Sequence, residues 1–181
     1  GSLMYGEGEW DESASLNPIS FARQYYKGEL PFLGELKDGS YPISIIRFPW
    51  ILGNGSWFKW FFIENIRKKG SIPKFGNGEN RMQIISLEDA AKLMIAVSLH
   101  SSGIYNAASP HIITQNEFDE KIKTFSGAEI RDFGSVFDGK LEAEAIEAFC
   151  SEIIMKSKQG DLINAFSFQS PETILSAILD S

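Results

Sequence analysis

The stretch from residue 41 to residue 60, YPISIIRFPWILGNGSWFKW, constrains the fold of this chain most. Residues 43–46 predict a buried strand, because they are rich in isoleucine and show no clean alternation with polar residues. Pro49 ends that strand, since proline donates no hydrogen bond to a sheet. The glycines at 53–55 predict a turn with positive φ, and Ser56 predicts the N-cap of an apolar helix. A strand, a glycine turn and a helix in this order are typical of the ligand-facing edge of an α/β sheet.

Length and charge exclude several classes of protein. With 181 residues, the chain is long enough for one well-buried α/β domain. Its net charge of −7 argues against nucleic-acid or anionic-membrane partners, which require a basic surface. No stretch approaches the roughly 20 apolar residues that span a bilayer, and no secretory signal is seen. The single cysteine, Cys150, suits a cytoplasmic location, and we expect it to be buried and structural.

Periodicity and capping residues predict the remaining elements. In the helix predicted over 20–30, Phe21, Tyr25 and Leu30 lie on one side. An acidic run between Glu7 and Glu12 is interpreted as a solvated loop. The other predictions are strands at 73–75, 82–85 and 103–107, helices capped by Ser86 and Thr114, a helix over 141–154, a short strand within 163–168, and a helix from Pro171.

Three motifs together resemble a known family. They are Ile46-Arg47-Phe48-Pro49 with Ile51-Leu52-Gly53, then Pro73…Gly76-Asn77-Gly78…Ile84-Ile85-Ser86-Leu87-Glu88-Asp89-Ala90, and finally Tyr105-Asn106-Ala107. Their order and spacing resemble the C-terminal half of an extended short-chain dehydrogenase/reductase of the NAD-dependent epimerase/dehydratase type. The phrases YNAASPHIITQNEF and INAFSFQSPETILSAI are similar to an atypical subgroup of sugar-nucleotide epimerase-like proteins with a short C-terminal cap domain.

The resemblance implies an α/β fold that comprises part of a Rossmann-type parallel sheet and a smaller, mixed substrate-side lobe. Residues 1–54, with 82–106, would form the C-terminal edge of the Rossmann-type domain, and most of 55–181 the substrate-binding lobe and cap. The family's Gly-x-x-Gly-x-x-Gly fingerprint, which holds the cofactor pyrophosphate, has no match here. We therefore expect the N-terminal cofactor-binding half to lie outside this chain, and this chain alone to be inactive.

The family's Tyr-x-x-x-Lys pair also has no match. Aligned on Glu29, its tyrosine falls at Phe21 and its lysine at Tyr25. Phenylalanine transfers no proton, so the usual acid/base step is in doubt. The catalytic candidates are Tyr25, whose alternative is a packing residue, and Ser2, whose alternative is Gly1 at the family's Ser/Thr position. Gly1-Ser2 is either native sequence or a cloning scar.

The resemblance places the cofactor, NAD or NADP, beside Arg47, Pro49 and Trp50. For Arg47, a structural ion pair is an equal alternative to a ligand contact. For Pro49 and Trp50, the alternative is a simple turn with an aromatic plug. The sequence does not distinguish these roles.

The substrate-binding candidates are Asn54, Ser56, Trp57 and Arg81. Trp57 would stack on a base or sugar, or else belong to the core. Arg81 would hold a diphosphate, as a guanidinium suits, although a stricter alignment places Met82 there. No metal site is expected, because His100 and His111 are isolated from acidic residues at metal-ligand spacing.

The sequence therefore predicts part of an NAD(P)-dependent epimerase/dehydratase-like oxidoreductase that acts on a nucleotide sugar or similar polar small molecule. Its mechanism would be transient hydride transfer to nicotinamide. The alternative is a non-catalytic NAD(P)-binding sensor or scaffold that has lost the Tyr/Lys pair. A homodimer is left open.

Overall fold

The computed structural model describes residues 1–39, 41–100, 102–136 and 143–179. Its strands are β1 Gly8–Trp10, β2 Ser44–Arg47, β3 Trp50–Leu52, β4 Ser71–Lys74, β5 Arg81–Ser86, β6 Gly103–Asn106, β7 Ile112–Thr114, β8 Glu129–Asp132 and β9 Ile153–Met155. Its helices are α1 Arg23–Asp38, α2 Glu64–Lys69, α3 Leu87–Ser98, α4 Gln115–Ser126, α5 Phe133–Val136, α6 Ala143–Cys150, α7 Gly160–Asn164 and α8 Pro171–Leu179. Short 3₁₀ turns lie at Ser2–Met4 and Ser20–Ala22, and a π-helical turn at Lys59–Ile63 precedes α2.

The strands of the described residues pair mainly in parallel. The parallel pairs are β1 with β9, β2 with β6, β3 with β5 and β4 with β8. β7 joins the far edge of β5 in the antiparallel direction. The predicted α/β class with a parallel sheet is confirmed, whereas the predicted division near residue 54 stays a prediction.

The stretch that was read as one strand and a glycine turn contains two short strands. Phe48 and Pro49 separate β2 from β3, so that β2 pairs with β6 and β3 pairs with β5. The predicted positive φ at 53–55 is wrong, since neither glycine adopts it. Gly53 is required for a different reason, because a Cβ there would lie 2.8 Å from the Cβ of Leu87.

Two glycines of the same turn, Gly53 and Gly55, therefore give a matched test. We expect Gly53→Ala to lower the free energy of unfolding by about 1–3 kcal/mol, because the added methyl group overpacks the contact with Leu87. Gly55→Ala places its methyl group in open space and should leave stability unchanged or slightly raised. Urea denaturation followed by tryptophan fluorescence measures both, and equal midpoints would contradict the steric explanation.

The helix caps agree with the sequence. The Ser86 hydroxyl accepts a hydrogen bond from the Asp89 N–H at 2.9 Å and begins α3. Thr114 and Glu117 form a reciprocal capping box at the start of α4. Gly70 ends α2 in the left-handed conformation. These interactions are local, which is why sequence spacing alone predicted them.

An aromatic core joins the two halves of the chain. The Phe75 and Phe149 rings stack with centroids 4.1 Å apart, and Phe58 packs on Phe118 at 5.7 Å. All four side chains are buried. Burial of such large rings supplies much of the favourable free energy of folding.

The acidic run between Glu7 and Glu12, predicted as a solvated loop, contains β1 and is anchored to the rest of the fold. Glu12 accepts hydrogen bonds from the Asn106 N–H, the Ser157 hydroxyl and the Lys158 N–H at 2.7–2.9 Å. Glu7 accepts one from the backbone of residue 152. The run therefore holds the N-terminal segment against the β9 region.

Three other expectations are corrected. The helix expected over 141–154 is α6, which ends at Cys150 and gives way to β9; residues 141–142 lie outside the described residues. The strand expected within 163–168 is not formed, because α7 occupies its start. Cys150 is exposed rather than buried, although partial burial still raises the pKa of its thiol.

Candidate functional site

A cavity of about 460 Å³ opens at the C-terminal end of β2. Four separate segments form its wall: the first turn of the chain, the start of α1, the β2–β3 connection with the helix that follows, and α6. The lining residues are Gly1, Ser2, Leu3, Met4, Phe21, Ala22, Tyr25, Phe48, Pro49, Trp50, Ile51, Trp57, Phe61, Ala145, Ala148 and Phe149. The carboxyl end of a parallel strand is where α/β sheets commonly bind ligands.

Five of the residues that the sequence singled out meet at this cavity. They are Ser2, Tyr25, Pro49, Trp50 and Trp57. The Ser2 N–H donates to the Phe48 carbonyl at 2.8 Å, which fixes the first turn beside the strand end. The candidates therefore come together although they are far apart in sequence.

Aromatic rings form one side of the cavity. Trp50 stacks on Phe149 with centroids 5.4 Å apart and planes 10° from parallel. Trp57 meets Trp50 edge-on at 4.7 Å and also packs against Phe62 of the core. Trp57 is therefore a core residue that also lines the cavity, and its stacking on a base or sugar stays a prediction.

Polar groups with proton-transfer chemistry are few in the lining. Among these side chains, hydroxyl groups occur only at Ser2 and Tyr25, and none is acidic, basic or histidine. Phe21, which occupies the aligned tyrosine position, lines the cavity, and the centroid of its ring lies 6.1 Å from that of Tyr25. Phe21 therefore presents a phenyl ring at the position where the family has its tyrosine. Tyr25 is the one tyrosine among the lining residues.

Arg47 lies behind the cavity in a buried hydrogen-bond network. Its guanidinium is 2% exposed and donates to Glu29 at 2.6 Å and to the Tyr5 hydroxyl at 2.5 Å. Tyr5 in turn donates to the Asn106 side chain at 2.8 Å. Burial raises the pKa of the Tyr5 phenol, against the opposing effect of Arg47. The ion pair that was considered for Arg47 is present, and Arg47 does not line the cavity.

Asn54 and Ser56 also lie outside the lining. The Ser56 hydroxyl donates to the Gly53 carbonyl and accepts from the Gly53 and Phe58 N–H groups at 2.9–3.3 Å. Asn54 is exposed in the same turn. Ser56 acts on the backbone here, as its predicted capping role requires.

Arg81 is held by two carboxylates. Its side chain donates to Glu152 at 2.6 Å and to Glu9 at 3.1 Å, and both contacts raise the pKa of the guanidinium above its usual value. Arg81 does not line the cavity. A diphosphate contact by Arg81 stays a prediction, and it would have to compete with these acidic partners.

Sequence reasoning missed the contribution of α6. Ala145, Ala148 and Phe149 follow the i, i+3, i+4 spacing of one helix face. That spacing predicts an apolar face but does not reveal which surface it covers. Phe61 lies in the π-helical turn and also lines the cavity. The sequence predicts it only as part of an apolar helix.

The described residues form neither a metal cluster nor a membrane-spanning helix. No group of three His, Cys, Asp or Glu side chains is placed to hold a metal ion there. The described helices include none that is both long and apolar enough to cross a bilayer.

Comparisons with known proteins identify the fold. No family model and no curated protein matches the chain, whereas solved structures do. A dTDP-glucose 4,6-dehydratase from Bacillus anthracis, solved with NAD, has a TM-score of 0.78 at 16% identity and covers 99% of this chain and 58% of its own. The corresponding enzyme from Streptomyces venezuelae, with NAD bound, has a TM-score of 0.78 at 18% identity, with 99% and 56% covered. A UDP-N-acetylglucosamine 4-epimerase from Methanobrevibacter ruminantium has a TM-score of 0.72 at 19% identity, with 99% and 59% covered.

These neighbours confirm, at the level of fold, the resemblance that the sequence motifs carried. The chain spans somewhat more than half the length of the proteins that it matches. Over that span, the chain has the fold of the NAD-dependent epimerases and dehydratases of the extended short-chain dehydrogenase/reductase type.

Proposed function

We propose that this chain provides the substrate-side part of an NAD(P)-dependent epimerase/dehydratase-like oxidoreductase. The observation that carries the proposal is the cavity itself, which gathers Ser2, Tyr25, Pro49, Trp50 and Trp57 at the carboxyl end of a parallel strand. The structural neighbours include enzymes solved with NAD or with a nucleotide-linked sugar acid. A nucleotide sugar or similar polar small molecule is accordingly the first substrate class to test.

The lining residues fit a flat ring such as nicotinamide. Pro49 and Trp50 lie together in the lining beside the strand end, and the neighbouring aromatic rings would shield a bound ring from water. When bound, nicotinamide would supply the hydride acceptor and donor. Arg47 would act through Glu29 and Tyr5, by holding the first turn of the chain in place.

Tyr25 is the proposed proton-transfer group. Its phenol lies at the cavity in a side chain that is 60% exposed, so a proton passed to or from substrate can exchange with water. Ser2, which lines the cavity and is 4% exposed, is the group that we propose to hydrogen-bond a substrate oxygen. The two hydroxyls divide the roles of proton transfer and positioning.

The test compares two adjacent tyrosines in the complete natural protein that contains these residues. Tyr25→Phe should lower kcat for NAD(P)-dependent conversion of UDP- or dTDP-glucose by roughly 10²–10⁴-fold, as loss of a general acid/base does. Tyr26→Phe, whose ring packs outside the cavity, should leave kcat unchanged. Equal rates for the two variants would remove Tyr25 from the mechanism.

A non-catalytic sensor is the second candidate, and one observation favours it. Phe21 faces the cavity at the aligned tyrosine position, and no lysine side chain lines the cavity. A sensor would bind NADH or NADPH with a Kd that none of the tested sugars changes, and it would convert none of them. That result would replace the oxidoreductase proposal.

A further inference from the structure

The chemistry of the cavity wall narrows the substrate class, on the assumption that the proposed function is correct. Of the side chains that line the cavity, only Ser2 and Tyr25 carry hydroxyls, while Trp50 and Trp57 carry indole N–H groups. The other lining residues are glycine, proline, alanine, aliphatic or phenyl. A hexose with a full set of hydroxyls would find few hydrogen-bond partners on these side chains.

The two arginine side chains considered for the proposed site are already engaged elsewhere. Arg47 is bound by Glu29 and Tyr5 behind the wall, and Arg81 is bound by Glu9 and Glu152 outside it. None of these side chains belongs to the cavity lining. The wall is therefore uncharged in its side chains as well as apolar.

The indole of Trp57 does not compensate for this. Its Nε1 is buried without a hydrogen-bond partner, and its ring is surrounded by Trp50, Phe58, Phe62 and Phe149. An apolar ligand surface is the complement of such a wall, because it loses no hydrogen bonds on entering. Edge-on and stacked aromatic contacts further favour a ring or a compact hydrocarbon group.

We infer that this cavity selects a substrate whose entering part is an apolar ring, an acyl group or a deoxygenated carbon face, attached to one alcohol or carbonyl. The single oxygen would meet the Tyr25 phenol or the Ser2 hydroxyl, and the hydrocarbon part would lie between Phe149 and Phe21, which leaves the Pro49 and Trp50 face to the nicotinamide. The volume of about 460 Å³ falls within the ~300–1,000 Å³ range of small-molecule sites. Among nucleotide sugars, deoxygenated or N-acylated ones would be preferred over a fully hydroxylated hexose.

The test uses two probes of similar size and opposite polarity, 4-phenyl-2-butanol and methyl α-D-glucopyranoside. Calorimetric titration and tryptophan fluorescence should show 4-phenyl-2-butanol binding at least about tenfold more tightly. Neither probe requires cofactor, so this readout is independent of the turnover assay that tests the proposed function. Binding of the glucoside as tightly as the alcohol, or of neither probe, would overturn the inference.

Matched variants on α6 locate the binding. Ala145→Phe fills the cavity and should weaken 4-phenyl-2-butanol binding about tenfold or more. Ala143→Phe, on the exposed side of the same helix, should leave binding unchanged. Tyr25→Ala gives a second measurement that does not depend on core packing, because Tyr25 is exposed, and it should also weaken binding. Equal affinities for all three variants and the natural chain would place the probe outside this cavity.

Discussion

Replacing Arg47 with methionine is expected to lower the free energy of unfolding by about 3–5 kcal/mol. The change removes the guanidinium that is 2% exposed and leaves the Glu29 carboxylate, 11% exposed, without its ion-pair partner. It also removes the donor to the Tyr5 hydroxyl. A buried carboxylate that loses its partner costs far more than a surface ion pair contributes.

Two further variants test whether the loss of stability at Arg47 comes from a buried, unpaired charge. Lys92→Met breaks an exposed i, i+4 pair with Glu88 and should change the urea midpoint little. Arg47→Met combined with Glu29→Leu removes both charges and should recover much of the stability that the single change loses. A single variant as stable as Lys92→Met would contradict the assignment of a buried ion pair.

Replacing Asp119 with asparagine should raise stability at neutral pH. The Asp119 side chain, on α4, is 1% exposed, and neither carboxylate oxygen has a hydrogen-bond partner. Burial raises the pKa of this carboxyl from 3.8 to about 8, with Lys74 opposing the shift. Between these values the unfolded chain releases the proton while the folded protein keeps it, so stability falls as pH rises.

The size of the Asp119 effect follows from that linkage. At pH 7, Asp119→Asn should stabilise the fold by about 2–4 kcal/mol, and the gain should fall below about 1 kcal/mol near pH 4, where the carboxyl of the unfolded chain is also partly protonated. Urea denaturation at pH 4, 5.5 and 7 measures the difference. Glu35→Gln, at an exposed position on α1, is the control and should leave the pH slope unchanged. A gain that is the same at all three pH values would contradict the burial account.

Local interactions of the fold were predictable, and long-range ones were not. Ser86 and Thr114 each act on the backbone three residues away, so sequence spacing sufficed. Gly53 was recognised as necessary but for the wrong reason, because its constraint is the approach of Leu87, which lies 34 positions later in the chain. The acidic partners of Arg81, Glu9 and Glu152, lie 72 and 71 residues away in sequence. No local sequence pattern predicts contacts over such separations.

The same limit explains which parts of the site were found. Ser2, Tyr25, Pro49, Trp50 and Trp57 were chosen by resemblance, and the cavity brings them together. The wall contributed by α6 was not foreseen, because an apolar helix face gives no information on what it covers. The apolar character of the whole lining also emerges only when four distant segments meet, so the sequence did not indicate which part of a polar substrate would enter the cavity.

The most direct test of the central claim is a paired titration of NADH and NADPH. It would use the complete natural protein that contains these residues, with the 181-residue chain beside it and tryptophan fluorescence as the signal, because Trp50 and Trp57 line the cavity. The account predicts saturable quenching in the complete protein, weakened by Ala145→Phe and unchanged by Ala143→Phe. No binding of either nucleotide by the complete protein would contradict the assignment of an NAD(P)-dependent oxidoreductase.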